Sequence, residues 1–376
     1  RDAAGRALRK AYRSGFEYSD CWVDDARLVV RNALDAAERG ATILTRTRMT
    51  AAQREGDVWR VRYEGPEGAG EVLARRLVNA AGPWVNEAAG LAHLNPAHQV
   101  RLVKGSHIVT RELFDHDRAY IFQNADGRIV FAIPYQGEFT LIGTTDKDWH
   151  GPASEVKIDE EEVEYLCAAV SEYFEKSVSP ADVVWSYAGV RPLVDDGSDR
   201  PQETTRDYVL TLDGAVHQAP MLSVYGGKIT TYRKLAEAAL HKLEVPARAW
   251  TGGSVLPGGD LPAGGLEALV SELRAAAPDL DAELLKRWAR AYGARARRLI
   301  EGVHAAEDLG ERLVGDLTVR EVCYLMDVEW ARSAEDILWR RTKLGLHASR
   351  AEVERLADFM ARRLTQAAPV AQAAVA

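Results

Sequence analysis

The chain contains 376 residues, of which 47% are apolar and 28% charged, and its formal net charge is −8. This length is enough for two or three domains, and a negative charge without long blocks of one sign argues against a nucleic-acid partner. The three cysteines lie far apart with no CxxC pair, so we expect reduced thiols in a cytoplasmic protein and no metal site. No apolar run reaches the roughly 20 residues that span a bilayer, which leaves only peripheral contact with a membrane.

The first hundred residues predict a helix followed by strands. Residues 23–39 show helical periodicity and end at Gly40, a common helix stop. The predicted apolar face of this helix consists of Leu28, Val29, Ala33 and Ala36. Three strands follow, over 41–48, 58–63 and 71–80, and the third runs into Asn79-Ala-Ala-Gly-Pro-Trp84. This turn of small residues fits a ligand site of an open α/β sheet or a plain strand-to-helix turn equally well.

A second region, from about residue 100, predicts a mostly antiparallel sheet. Its strands are expected over 100–110, 119–124, 128–134 and 138–144. Residues 158–176 then show the pattern of an amphipathic helix that covers one face of that sheet. The apolar stripe of this helix consists of Val163, Leu166, Cys167, Val170 and Phe174. Cys167 is therefore interpreted as a packing residue.

The remainder of the chain changes from strands to helices. Residues 183–226 predict strands and loops, a helix continues to about residue 243, and glycine and proline mark a linker at 251–265. Beyond the linker the periodicity is helical to the end of the chain. Capping-box patterns at Thr318–Glu321 and Ser333–Asp336 predict two helix starts.

The strand-to-helix turn Gly226-Gly-Lys228 has the chemistry of an anion site. Its two glycines allow the backbone to approach a ligand, and its lysine adds positive charge where a helix start has N–H groups without helical partners. The turn is not a Walker A loop, because Leu222 and Ile229 occupy the places of that motif's glycine and its serine or threonine. No GxGxxG occurs in the 376 residues.

Arg191 and His107 are candidate functional residues on their type and surroundings. Arg191 lies between Val190 and Pro192 in an apolar segment, so it has either a structural carboxylate partner or a place in a site. A histidine such as His107 is more often a satisfied core or surface residue than a catalytic base. Residue type alone leaves both interpretations open.

Eight strings, in one order along nearly the whole chain, resemble one family. They are Gly15-Phe-Glu-Tyr-Ser-Asp-Cys-Trp-Val-Asp-Asp25, Asn79-Ala-Ala-Gly-Pro-Trp84, Leu102-Val-Lys-Gly-Ser-His107, Ile142-Gly-Thr-Thr-Asp146, Gly189-Val-Arg-Pro-Leu193, Thr205-Arg-Asp207, Gly226-Gly-Lys-Ile-Thr-Thr-Tyr-Arg-Lys234 and Trp339-Arg-Arg-Thr-Lys343. Each string is weak by itself, whereas the collinear set is highly specific. The chain resembles the FAD-dependent, quinone-linked sn-glycerol-3-phosphate dehydrogenases.

The resemblance implies a fold of α/β and α+β class. It combines an FAD-binding domain of the glutathione-reductase type, incomplete in this chain, with a mostly antiparallel β substrate domain and an all-helical C-terminal domain. We expect the remainder of the FAD-binding domain in 1–98, the β-rich cap in 99–184, a return to the FAD-binding domain in 185–250 and the helical domain in 251–376. The family's GxGxxG segment would precede Arg1, so we expect the chain alone to bind FAD weakly and to show little activity.

The resemblance also implies the oxidation of sn-glycerol 3-phosphate to dihydroxyacetone phosphate, with FAD as cofactor and quinone as acceptor. An oxygen-using glycerol-3-phosphate oxidase and a non-catalytic fragment are the alternatives. In this interpretation Arg191 stabilises the developing alkoxide and His107 is the better candidate base. The implied substrate-binding residues are Lys228, Arg206, Thr144 and Thr145. The implied cofactor-binding residues are Ala81, Gly82, Pro83, Trp84, Gly226, Gly227 and Thr230.

The expected partners, besides the substrate, are quinone and an anionic membrane surface, with a homodimer as one expected assembly and no nucleic acid. The candidate lipid-facing surface of the helical domain consists of Arg287, Arg290, Arg295, Arg297 and Arg298. Such a run is more often a solvated helix face, which is the alternative. The expected location is the cytoplasm, or the inner face of the plasma membrane as a peripheral protein.

Overall fold

The structure is a computed structural model that describes residues 3–195, 197 and 205–367. The chain folds as two compact units: Arg1–Ser19 with Arg46–Ala249, and Asp20–Thr45 with Trp250–Ala376. The helix Asp25–Glu38 thus belongs to the same unit as the C-terminal helices. The predicted division into four functional stretches, with 1–98 as one of them, stays a prediction.

Within the residues that the structure describes, the first unit contains three sheets. Its strands are β1 (Arg48–Glu55), β2 (Val58–Gly65), β3 (Gly68–Ala74), β4 (Leu77–Asn79), β5 (Val100–Arg111), β6 (Tyr120–Gln123), β7 (Ile129–Tyr135), β8 (Phe139–Gly143), β9 (Lys147–Asp148), β10 (Val183–Val194), β11 (Val209–Asp213) and β12 (Met221–Tyr225). β1, β2 and β3 form an antiparallel meander, and the largest sheet has the order β10-β5-β8-β7-β6, with β9 also paired to β5. In the third sheet β12 pairs antiparallel with β11 and parallel with β4.

Two of the strand predictions need correction. The strand predicted over 41–48 begins only at Arg48, which pairs with Glu64 near the end of β2. The strand predicted over 71–80 is two strands, β3 and β4, in different sheets. The predicted strands of the second region are confirmed within two residues at each end, because the glycine turns at Gly127 and Gly137 mark where the strands stop.

The α-helices of the first unit are α1 (Ala3–Arg6), α3 (Val85–Leu91), α4 (Glu160–Tyr173) and α5 (Tyr232–Lys242). Helix α4 covers one face of the largest sheet, as predicted. Leu166, Cys167 and Val170 of α4 pack with Ile108 and Ile142 of the sheet in one buried cluster. Burial raises the pKa of the Cys167 thiol to about 11, so the thiol is protonated at neutral pH. Its interpretation as a packing residue is confirmed.

The second unit is mainly helical. Its helices are α2 (Asp25–Glu38), α6 (Gly265–Ala276), α7 (Ala282–Tyr292), α8 (Arg297–Ile300), α9 (Val319–Val328) and α10 (Arg350–Ala367), with a π-helical turn at Asp336–Arg341. A short antiparallel ladder, β13 (Arg312–Val314) with β14 (Leu317–Thr318), lies within this region. Along residues 3–195, 197 and 205–367, no helix combines the length and the apolar character needed to cross a membrane.

The buried face of α2 differs from the predicted one. It consists of Arg27, Val30, Arg31 and Leu34, whereas Val29 of the predicted face is 65% exposed. Arg27 makes a bidentate pair with Glu329, which is fully buried. A buried carboxylate on a distant segment thus turns two arginines inward, which apolar periodicity along one helix cannot reveal.

Both predicted helix starts are confirmed, since α9 begins after Thr318 and a helical turn begins after Ser333. Of the two, only the start at Ser333 makes the hydrogen bonds of a capping box. Asp336 accepts from the Ser333 N–H at 3.1 Å and donates its own N–H to the Ser333 hydroxyl at 3.3 Å. Glu321 instead accepts from Arg287 and Trp288 at 2.7 Å and from the Tyr292 hydroxyl at 2.5 Å. Burial opposes ionisation of Glu321, but the charge and hydrogen bonds of Arg287 outweigh it and hold the pKa below its ordinary value.

The five arginines of the candidate lipid-facing surface do not share one exposed face, which corrects that prediction. Arg287 lies in the buried pair with Glu321, and Arg295 is buried with its guanidinium on Glu38 at 2.5 Å. Only Arg290, Arg297 and Arg298 are exposed, and Arg297 pairs with Glu272. Membrane association therefore stays a prediction, and three exposed arginines rather than five support it.

Candidate active site

Arg191 lies on β10, and its guanidinium is held from the loop between β8 and β9. Nη1 donates to Asp146 Oδ1 at 2.6 Å, and Nη2 donates to the Thr144 hydroxyl at 3.1 Å. Burial lowers the pKa of Arg191, the Asp146 carboxylate opposes this shift, and the nearby Arg206 adds to it. An arginine remains charged under such shifts, so the site contains a fixed cation. The Arg191 side chain is 29% exposed, and part of it is available to a ligand.

The guanidinium of Arg191 rests directly on Gly105 of β5. A Cβ added at Gly105 would lie 2.7 and 2.8 Å from the two terminal nitrogens and 2.8 Å from Thr144 Oγ1. Gly189 of β10 pairs directly with Gly105, and a Cβ there would meet nothing within 4 Å. We call these two residues the glycine floor: Gly105 lies under the guanidinium, and Gly189 leaves open space next to it for a small ligand.

We expect Gly105→Ala to displace Arg191 and to lower the rate of substrate oxidation by about 10- to 100-fold, because a misplacement of about 1 Å at a reacting group has an effect of that order. The measurement is the rate of flavin reduction in the FAD-loaded enzyme. The control is Gly90→Ala on α3, where the added Cβ meets nothing within 4 Å. Equal rates in the two variants would contradict the placement of Arg191.

His107 lies on the same face of the sheet as Arg191. Its ring stacks on Tyr187 with centroids 4.8 Å apart and planes at 5°, and the two residues are cross-strand partners. A Cβ at Gly143 would lie 2.1 Å from His107 Cδ2, so this glycine makes room for the ring. Residues 187, 189 and 191 lie on one face of β10, so the open space at Gly189 has the stacked rings on one side and the guanidinium on the other.

The two predicted threonines point to opposite sides of their loop. Thr144 contacts Arg191 at the glycine floor. Thr145 is 1% exposed, and its hydroxyl donates to Glu162 Oε1 on the other side at 2.7 Å. Of the pair, only Thr144 has its hydroxyl at the candidate site.

Asp146 joins two of the predicted cations. Its second oxygen lies 3.7 Å from Arg206 Nη2, so one carboxylate bridges Arg191 and Arg206. Lys228 lies 3.7 Å from the carboxylate of Asp207, the residue that follows Arg206. Lys228 and Arg206 are 48% and 44% exposed, which leaves both free to meet an anionic ligand. The structure thus gathers Arg191, Thr144 and Arg206 around Asp146.

Asp146 had no role in the sequence-based site, although it ends the string Ile142-Gly-Thr-Thr-Asp146. The sequence left two interpretations of Arg191 open: a structural carboxylate partner or a place in a functional site. In the structure Arg191 has a carboxylate partner, Asp146, and also lies next to the open space at Gly189, so both interpretations hold. Tyr187, the ring under His107, carried no sequence signal beyond its place in a strand.

The predicted cofactor residues lie in two turns at one edge of the third sheet. β4 and β12 are parallel neighbours, so the turns that follow them, Gly82–Trp84 and Gly226–Lys228, leave the sheet at the same end. Gly82, Gly226 and Gly227 have φ of +56°, +68° and +102°, a conformation that glycine adopts readily. Ala81 and Pro83 belong to the first turn, and Thr230 follows the second.

The geometry of these turns is typical of a ligand site, and the resemblance predicts that this ligand is the flavin. Ligands of α/β sheets bind at the carboxyl ends of parallel strands, where backbone without side chains lets them approach. The buried Asn79 fixes the first turn by donating to Val85 O at 2.8 Å and accepting from the Ala81 N–H at 3.3 Å. A Cβ at Gly82 would lie 3.9 Å from Pro192 Cγ, so the turn borders β10 next to Arg191. The candidate cofactor and substrate residues are therefore adjacent.

Comparisons with known proteins identify the family of the chain. A family model described as FAD dependent oxidoreductase matches residues 1–233, and one described as the C-terminal domain of alpha-glycerophosphate oxidase matches residues 249–374. The chain therefore belongs to the FAD-dependent oxidoreductase family. It is an enzyme with FAD as its cofactor, and the predicted fold class is confirmed.

The resemblance noted in the sequence is also confirmed. The chain is 49% identical over 360 residues to a glycerol-3-phosphate dehydrogenase of Pseudomonas aeruginosa, covering 94% of this chain and 70% of that protein. It is 46% identical over 360 residues to the D-erythritol 1-phosphate dehydrogenase of Brucella abortus, covering 94% and 71%. The crystal structure of the glycerol-3-phosphate dehydrogenase from Bacillus halodurans complexed with FAD matches with a TM-score of 0.74 at 25% identity, covering 90% of this chain and 69% of that one.

Proposed function

We propose that the enzyme oxidises sn-glycerol 3-phosphate to dihydroxyacetone phosphate. The observation that carries the proposal is the set of cations around the glycine floor, with Arg191 and Arg206 bridged by Asp146 and Lys228 beside them. A phosphate dianion is best bound by several charge-assisted donors, each worth about 1.5 to 3 kcal/mol. The relatives named for glycerol 3-phosphate support this substrate.

The roles of the residues follow from their chemistry. Lys228 and Arg206 bind the phosphate, since both are half-exposed and Lys228 lies 3.7 Å from the carboxylate of Asp207, the residue after Arg206. Arg191, fixed by Asp146 and Thr144, donates to the C2 oxygen as negative charge develops there. His107 accepts the proton of the C2 hydroxyl, with its ring held flat on Tyr187. FAD, when bound, accepts the hydride that leaves C2.

A four-carbon substrate is the second candidate. The D-erythritol 1-phosphate dehydrogenase is nearly as similar to this chain as the glycerol-3-phosphate dehydrogenase, and both substrates are polyol phosphates. The open space above Gly189 is the feature that would accommodate the additional carbon. The two candidates therefore share the residues that bind phosphate and differ in the length of the chain beyond the reacting carbon.

The experiment is anaerobic mixing of the FAD-loaded, full-length enzyme with each polyol phosphate, followed by the loss of flavin absorbance. The proposal predicts faster reduction at lower concentration by sn-glycerol 3-phosphate than by D-erythritol 1-phosphate. The reverse preference would favour the second candidate. Absence of reduction by both would contradict the proposed chemistry.

Quinone is the proposed electron acceptor, which would place the enzyme in the cytoplasm at the inner face of the plasma membrane. Oxygen is the alternative acceptor. It is supported by the match of residues 249–374 to a domain described for an oxidase. Reoxidation of the reduced enzyme by a soluble quinone, compared with oxygen uptake and hydrogen peroxide release, separates the two acceptors.

A further inference from the structure

Thr145 is held from behind the candidate active site by a buried polar cluster. This cluster, named here the Glu162 cluster, consists of Lys104, Ser106, Thr145, Asp159 and Glu162. Glu162 Oε1 accepts from the Thr145 hydroxyl at 2.7 Å and from the Ser106 hydroxyl at 3.0 Å. The Ser106 N–H in turn donates to Thr145 Oγ1 at 3.0 Å. Thr145 is thus fixed by both β5 and α4.

Glu162 is itself firmly anchored. Lys104 Nζ lies 2.6 Å from Glu162 Oε2 and 2.9 Å from Asp159 Oδ2, and the Lys104 side chain is only 2% exposed. Burial opposes the charge on Lys104, but its hydrogen bonds to Glu162 and Asp159 keep its pKa above the ordinary value. Asp159 and Glu162 also form the capping box of α4. The start of this helix therefore determines where the Glu162 carboxylate lies.

Both groups that hold Arg191 are direct neighbours of Thr145. Thr144 accepts from one nitrogen of the guanidinium and Asp146 from the other, on the side of the loop opposite to Glu162. A displacement of Thr145 would move both of them, because successive residues of one short loop cannot shift independently. The position of the guanidinium thus depends on the hydrogen bond between Thr145 and Glu162.

We propose that Thr145, held by Glu162, is a positioning residue that sets the place of Arg191 without touching the substrate. The inference rests on the proposed function and changes the role expected for Thr145 from a substrate contact to a support of the substrate-side loop. The loop also contains the carboxylate that bridges Arg191 and Arg206. The Glu162 cluster therefore links the packing of α4 on the sheet to the geometry of the cationic site.

The test is Thr145→Val, which keeps the shape of the side chain and removes its hydrogen bonds. In the FAD-loaded enzyme we expect the limiting rate of flavin reduction to fall about 10- to 100-fold. The apparent dissociation constant of sn-glycerol 3-phosphate should change by less than about threefold, because a loss confined to the transition state lowers the rate and spares ground-state binding. Thr145→Ser retains the hydroxyl and should restore the rate.

Thr140→Val is the matched control. Thr140 is also 1% exposed and also accepts a backbone N–H, that of Leu113 at 3.1 Å, but it lies on β8 away from Arg191. We expect a similar fall in melting temperature for the two valine variants and an unchanged reduction rate for Thr140→Val. Equal reduction rates in the two variants would overturn the inference.

Two further outcomes are distinguishable. If Thr145→Val does not yield FAD-loaded protein, Thr145→Ala is measured in the same way. Loss of FAD in both, with a normal Thr145→Ser, would assign Thr145 a structural role alone and overturn the inference. A wild-type enzyme whose flavin is reduced by neither polyol phosphate contradicts the proposed function instead, and the inference falls with it.

Discussion

Arg191→Lys is expected to slow flavin reduction by sn-glycerol 3-phosphate by roughly 100- to 1,000-fold, the usual effect of removing one donor from a developing oxyanion. Lysine keeps the charge but loses the planar fork that spans Asp146 and Thr144. Binding of the phosphate by Lys228 and Arg206 should persist. We therefore expect the limiting rate to change far more than the apparent affinity.

Arg101→Lys provides the control for this experiment. Arg101 lies on β5 of the same sheet and makes an equivalent bidentate pair with Asp148, at 2.7 and 2.8 Å. The substitution has the same chemistry outside the glycine floor, so we expect a reduction rate close to that of the wild type. A loss in Arg101→Lys as large as in Arg191→Lys would show that the effect comes from the sheet and not from the reacting centre.

Glu329→Gln is expected to destabilise the second unit by about 3 to 5 kcal/mol, the usual effect of breaking a buried ion pair. The carboxylate is fully buried and lies within hydrogen-bond reach of Arg27, 3.5 Å from Arg31 and 3.7 Å from Arg341. Its neutralisation leaves three largely buried guanidiniums close together. We expect the melting temperature of this unit to fall on the order of 10 °C.

Glu335→Gln is the matched variant at the surface. Glu335 pairs with Arg340 at 2.9 Å, but its side chain is 65% exposed and solvated. Exposed pairs contribute little, so the change should stay within about 0.5 kcal/mol. Thermal unfolding followed by tryptophan fluorescence measures both variants. A melting temperature of Glu329→Gln equal to that of Glu335→Gln would show that the buried cations find other partners.

The sequence predicts the largest sheet well and the polar core poorly. Apolar segments and glycine turns define β5 to β8 nearly to the residue, because both signals lie in the local sequence. The pairs of Arg27 with Glu329 and of Arg287 with Glu321 join segments that are 302 and 34 residues apart. No local periodicity specifies such pairings. They account for the wrong face of α2 and for the missing capping hydrogen bonds at Thr318, where Glu321 pairs with Arg287 instead.

The candidate site likewise contains residues that the sequence predicts and features that depend on distant segments. Arg191, Arg206 and Thr144 were predicted through the resemblance, and the structure brings them together around Asp146. The choice between Thr144 and Thr145 depended on which side of the loop each faces, and alternation beyond the end of β8 already indicates opposite sides. The contact of the guanidinium with Gly105 and the open space at Gly189 depend on the pairing of two strands far apart in sequence, so they required the structure.

The most direct measurement for the central claim is a crystal structure of the FAD-loaded enzyme with dihydroxyacetone phosphate bound. The account predicts that the C2 oxygen lies within hydrogen-bond distance of Arg191 and that the phosphate contacts Lys228 and Arg206 above the floor of Gly105 and Gly189. A phosphate bound to Arg191, or a ligand that leaves the glycine floor empty, would contradict it.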